Sequence, residues 1–290
     1  TRLCLAFDIL FTIIDPDLSF FKVLVSVTVK SAIFTFIKFS SFVMIILSIL
    51  FFITSILYSS VGFGGGSTYL ALLLIWEIPY YILPVVALSC NIVVVSGNAF
   101  NYIKAGNLNL RLILPYLAAS IPLAYLGGAL EIDKKNFEIL LFFVLSISGL
   151  LLIFNFRSYD DGKIKFRDIN YFFALLIGGC LGFISGVVGI GGGIFLSPIL
   201  FLLKAGLPKH IVTTSSIFIL INSLAGIFGQ LSKSYVLNEI FDFWYLILFV
   251  FIGGQIGNYL NLKIFPTRYL ALITSCLVIF VAIRIGLNIF

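Results

Sequence analysis

Apolar positions along this chain gather into long runs separated by short polar breaks. The runs cover 42–76, 81–103, 112–130, 137–156, 171–203, 211–231, 243–262 and 269–289. A helix that crosses a bilayer needs about 20 apolar residues, so each run predicts a spanning segment. The first and fifth are longer than one crossing requires, and each carries a glycine cluster in its middle. Residues 1–41 are apolar but interrupted by Asp8, Asp15, Pro16, Asp17, Lys22, Lys30 and Lys38, so they form an N-terminal extension with no clean span.

The two glycine clusters expose an internal repeat. Val61-Gly62-Phe63-Gly64-Gly65-Gly66 matches Val188-Gly189-Ile190-Gly191-Gly192-Gly193 at a separation of 127 residues. Downstream, Pro79 pairs with Pro208, Gly97 with Gly226, Asn101 with Gln230 and Gly128 with Gly257, all at 129. One register held over four helices predicts an all-α membrane protein of about eight transmembrane helices. They fall into a first four-helix repeat over 42–156 and a second over 170–290, and a polar linker, 157–169, joins them. Four crossings per copy make the repeats parallel; a glycine-broken segment that turns back makes them inverted.

Composition agrees with the pattern. Hydrophobic residues are 61% of the chain and charged ones 10%, with a mean hydropathy of +1.19, against about 45–50% and about 25% in soluble domains. The net charge of +6 comes from Lys and Arg scattered among loops, which excludes a nucleic-acid surface and bears on orientation instead. If every segment crosses once, the side holding the N-terminal extension and the linker carries ten Lys and Arg against six, which predicts cytoplasmic termini.

Function has to lie inside the bilayer or on short loops. Several glycines within five residues interrupt a helix at bilayer depth, and broken backbone survives there only where protein or a watery cavity surrounds it. Such a break creates a helix N-terminus whose free N–H groups attract anions. Gly62, Gly64, Gly65 and Gly66, with Gly189, Gly191, Gly192 and Gly193, are therefore candidate substrate-binding residues; close helix packing is the competing reading. The second helix of each copy adds uncharged donors, among which Asn91, Thr214 and Ser215 lie deepest in their runs. Asn101 and Gln230 lie near helix ends and read equally as boundary residues.

Other chemistries find little support. His210 follows Pro208-Lys209 at a helix start and reads as a helix-end residue, and Arg284 lies close enough to the C-terminal interface to snorkel. A serine intramembrane protease wants GxSG and a neighbouring histidine, whereas Ser67 stands in GGGS. The four cysteines have no metal-ligand spacing. No enzyme, metal or cofactor is expected. The expected partners are a small anion and the lipid bilayer, with a coupling ion and a homo-oligomer left open. The leading function is transport of a small anion, with a passive channel and a membrane scaffold as alternatives.

The clusters GFGGGS and GVVGIGGGIFLSPIL, the following AGLPKHIVTTSSIFILINSLAGI, and the helices IPLAYLGGAL and FIGGQIGNYL resemble the sulfite exporter TauE/SafE family of membrane permeases. The resemblance covers about Phe42 to Phe290 and is strongest over 182–230. It implies a duplicated four-helix transporter of sulfite, sulfoacetate or related organosulfonates, with both glycine clusters as signatures and Thr214-Ser215 as a polar pair. The first copy departs from the pair, having Val85 and Val86 before Ala87.

Overall fold

The computed structural model describes residues 43–60, 62–76, 78–154, 170–203, 205–233 and 243–261, with a few positions of the final segment. The N-terminal extension and the linker lie outside the described residues. Contacts divide the chain into units 1–46 and 47–290, and the packing below belongs to the second. The described residues contain helices and no strand. In order these are α1 (Val43–Ser60), α2 (Gly66–Ile75), α3 (Leu83–Lys104), α4 (Leu110–Ala129), α5 (Lys134–Phe154), α6 (Tyr171–Val188), α7 (Gly193–Leu202), α8 (Pro208–Leu231) and α9 (Trp244–Asn261). Five helices, α1, α3, α4, α6 and α8, are long and apolar enough to cross a membrane.

Local signals start these helices where the sequence provides them. Proline stands in the first turn of α3 and α8, where its missing N–H costs nothing. Asn109 and Asn170 cap α4 and α6 by accepting from the backbone N–H of Leu112 and Phe172. Polarity is distributed as a membrane requires. Ile, Leu and Phe side chains such as Phe172, Phe173 and Leu176 are exposed, whereas the buried polar residues described are Ser, Thr, Asn and Gln.

The first long apolar run is not one broken span. Phe51 lies nine residues before the end of α1, about 13 Å along the axis, yet its ring stacks on Tyr69 of α2 with centroids 4.7 Å apart. The chain therefore reverses, and α2 returns as a half-length helix alongside α1. The fifth run does the same. A Cβ built on Gly192 would lie 3.3 Å from the carbonyl oxygen of Leu181, seven residues before the end of α6.

Small residues let the long helices approach closely and reveal their directions. Gly178, Gly182 and Gly186 of α6 meet Tyr116, Ser120 and Ala124 of α4 in that order, and a Cβ on any of these glycines would run into the opposing backbone. Helices α4 and α6 are thus parallel, joined by a small-xxx-small seam. Gly253 and Gly257 of α9 meet Phe52 and Ile56 of α1 in the same manner, and Ser59 Oγ donates to the Gly254 carbonyl at 2.7 Å. Helix α8 runs parallel to α4: His210 meets the Asn107 carbonyl at one end and Gly229 packs on Tyr125 at the other. Helices α3 and α8 are antiparallel, since Leu88 lies at Gly226 while Tyr102 and Val212 meet around Gly62.

Candidate functional site

Both reversals are made of glycine in the left-handed region. Gly62 and Gly65 have φ of 87° and 86°; Gly189, Gly191 and Gly192 have 89°, 85° and 70°. A side chain there costs about 1–2 kcal/mol, which explains part of each cluster. Gly64, Gly66 and Gly193 answer to space instead. A Cβ on Gly64 would lie 2.5 Å from Asn91 Oδ1, and one on Gly66 would lie 2.6 Å from both Asn91 Nδ2 and the carbonyl oxygen of Ile190. Gly193 is pressed against Ile219 and the Ser215 carbonyl.

These contacts bring the two glycine turns together. Asn91, fully buried near the middle of α3, donates from Nδ2 to the Ile190 carbonyl at 3.0 Å and lies against Gly64, Gly66 and Gly191. Ser216 of α8 donates to the Gly62 carbonyl. From this meeting point α2 runs toward the beginning of α3 and α7 toward the beginning of α8. Two short helices therefore begin at one place and diverge, each with its N-terminus inward.

That geometry concentrates hydrogen-bond donors. The N-cap of α2 is Gly65, which has no side chain to cap the first turn. Nearby hydroxyls are also unclaimed: Ser67 in the first turn of α2, Ser197 in α7, and Thr214, Ser215 and Ser223 of α8 are all buried without a hydrogen-bond partner, as is Asn91 Oδ1. Two helix N-termini supply partial positive charge, and neutral hydroxyls and amides can replace the water shell of an anion without the tight hold of a full charge.

Of the residues singled out from sequence, Gly64, Gly66 and Gly191 come together on Asn91, and Ser215 touches the cluster through its backbone at Gly193; Gly65 and Gly192 stand in the turns beside them, whereas Gly62 packs on Tyr102 and Gly189 on Pro84, toward opposite ends of α3. Thr214 is buried on α8, one residue away. Other polar residues are spent on structure. Thr213 bonds back to the Lys209 carbonyl and Asn222 to that of Phe218. Asn101 and Gln230 tie helices together, Asn101 to Asn258 Oδ1 at 3.0 Å and Gln230 to the Gly186 carbonyl at 2.9 Å. Sequence reasoning missed Ser67, Ser185 and Ser197 as candidates; the first and last stand one and four residues beyond a cluster, within the first turns of the returning helices.

Comparison with known proteins places the chain beside membrane transporters. The probable membrane transporter protein y4hK of Sinorhizobium fredii is 26% identical over 232 residues, spanning 80% of this chain and 93% of its own length. The probable membrane transporter protein MJ0441 of Methanocaldococcus jannaschii is 28% identical over 250 residues, spanning 80% and 91%. The probable membrane transporter protein YunE of Bacillus subtilis is 24% identical over 271 residues, spanning 83% and 96%. No solved structure matches the chain. The sulfite exporter TauE/SafE family matches residues 46–285, nearly the whole of the helical body just described, and the chain belongs to that family of membrane transporters.

Proposed function

We propose that the protein is a secondary transporter that exports a small sulfur anion, sulfite or an organosulfonate such as sulfoacetate. The observation that carries the reading is the meeting of the α2 and α7 N-termini around Asn91, among buried hydroxyls and away from any buried charge among the described residues. A tetrahedral or pyramidal oxyanion matches converging N–H and O–H donors. Purified protein in liposomes should show saturable sulfite or sulfoacetate flux that a proton or sodium gradient can drive uphill. Flux that never saturates would make it a channel, and none for any anion would defeat the proposal.

An inverted duplication belongs to this reading, with 42–156 and 170–290 as the two copies. It is supported by the opposite directions of α3 and α8, and by the like seams α1 with α9 and α4 with α6. The returning helices also regroup the loops. By their order in the sequence, the loops leaving the end where α3 finishes carry Lys104, Arg111, Lys204, Lys209, Lys263, Arg268 and the four linker cations, and the loops leaving the other end carry Lys134, Lys135 and Lys233. Leaving the N-terminal extension aside, the loops stand ten against three, which favours a cytoplasmic position for the end where α3 finishes. The single-crossing reading also places that end in the cytoplasm; the returning helices change instead the side on which α1 begins and the side on which α8 ends with Lys233. An impermeant reagent applied to intact cells should label a cysteine at 134 and not one at 107.

A further inference from the structure

A cleft opens where α3 begins and α8 ends, lined by Tyr80, Tyr81, Pro84, Val187, Gln230 and Lys233 among others. Pro84 belongs both to this cleft and to the second glycine turn, since Gly189 packs directly on it. Asn91 lies seven residues further along α3, about 10 Å in. Lys233 is partly buried here, and its Nζ donates to Gln230 Oε1 at 3.1 Å. The other end of the same amide donates to the Gly186 carbonyl, three residues before the turn. The C-terminus of α8 would favour a cation in any case, but it does not require one drawn into a cleft with its head on a side chain that grips the neighbouring helix.

We propose that this cleft is the mouth of the anion pathway on one face, that Lys233 is its anion-recruiting residue, and that Gln230 couples Lys233 to the backbone beside the second glycine turn. The inference rests on the transport reading and adds to it a residue and a mouth on the face away from the end where α3 finishes, the releasing face in export and the binding face when flux is driven inward. The ammonium is held by one neutral acceptor, so two of its three donors remain for a passing anion. The titratable groups on the facing elements are Tyr80, Tyr81 and Glu131, with the exposed Asp133, Lys134 and Lys135 and the half-buried Glu138 where the α4–α5 connection enters α5. Burial pushes the Lys233 ammonium below the usual lysine range, and Glu131 pulls it back.

The test has two arms, both in a background where Cys4, Cys180 and Cys276 are replaced and buried Cys90 is kept. In the first, Y80C is modified with an anionic and a cationic methanethiosulfonate in membrane vesicles. The anionic reagent should be favoured, and K233Q should lower the anionic-to-cationic rate ratio by about tenfold; a ratio that K233Q leaves unchanged overturns the inference. In the second, proteoliposome flux in K233Q with Tyr80 intact should show a several-fold higher KM for sulfite at an unchanged maximal rate, with K233R restoring it; an unchanged KM overturns the inference. If the parent protein moves no anion at all, the transport reading falls, and the reagent ratio still decides whether Lys233 makes the cleft anion-selective.

Discussion

Replacing Asn91 in two ways separates its roles as a structural tie and as part of an anion site. Asn91→Ala removes the bond to the Ile190 carbonyl and leaves that oxygen buried without a partner. Such a loss costs about 1–3 kcal/mol, which lowers the unfolding temperature by about 2–12 °C in a protein of this size. Asn91→Asp keeps the volume but changes the charge. Its carboxylate would lie where two helix N-termini begin, a placement that stabilises by about 0.3–1 kcal/mol per helix. It would also oppose the substrate: two negative charges about 4 Å apart repel by about 4 kcal/mol at an effective dielectric of 20, about a thousandfold in affinity. In thermal unfolding and proteoliposome flux, Asn91→Ala should therefore be destabilised. While ionised, Asn91→Asp also lacks the donor to the Ile190 carbonyl, so it should be destabilised at neutral pH too, lose more uptake than Asn91→Ala, and regain stability and some uptake at acid pH, where the neutral carboxyl can donate to that carbonyl. An Asn91→Asp variant that carries sulfite and sulfoacetate at the parent rate would refute the placement of an anion between α2 and α7.

Further expectations follow from particular contacts. Gly106→Ala, left-handed and in open space, should cost only the backbone part, about 1–2 kcal/mol in unfolding measurements; Gly65→Ala and Gly192→Ala should each cost more, because a Cβ there also presses on Tyr58 at 3.1 Å or Phe218 at 3.0 Å. Gly182→Leu places a side chain against the backbone of Ser120 and should abolish the monodisperse folded peak in size-exclusion chromatography. Burial lowers the Lys233 pKa in the folded state, so the unfolded chain binds more protons over the interval below the ordinary lysine value. Thermal stability should therefore rise as pH increases through that interval, and the rise should shrink in K233Q.

Much of this was legible in the chain, and what was not has an identifiable cause. The apolar runs marked α3, α4, α5, α8 and α9 because a spanning helix needs a length that few other structures need. The glycine clusters marked both turns because L-residues avoid their φ values. Reversal after the clusters was not legible, because ten apolar residues read alike whether they continue or return; the Phe51–Tyr69 stack decides it. Asn91 stood out as a deep polar residue, whereas its partner, the Ile190 carbonyl, carries no sequence signal. Gln230 and Asn101 read as boundary residues since periodicity locates a helix end but not the neighbour that a side chain reaches.

The seams also restrict how such a protein can move. In the duplicated reading, a simple expectation is that one copy rocks against the other. Yet α1 with α9, and α4 with α6, each join a helix of one copy to a helix of the other through backbone contacts that leave no room for a Cβ. Rocking whole copies would tear both seams at once. Between the half-helices α2 and α7 the contact is of another kind: their turns meet at Asn91, which bonds the Ile190 carbonyl, and at Gly66, which packs on the same carbonyl. Motion should therefore run along the α3–α8 contact and through the glycine turns, leaving the seams intact. A crosslink tests this directly. The Cβ of Ala119 lies 3.5 Å from a Cβ built on Gly179, within the range a disulfide spans, about 3.5–4.5 Å. A119C/G179C, with Cys4, Cys180 and Cys276 replaced, should oxidise readily and transport at close to the reduced rate. If oxidation stops flux and reduction restores it, the α4–α6 seam moves in transport and the division of the bundle falls between the copies after all.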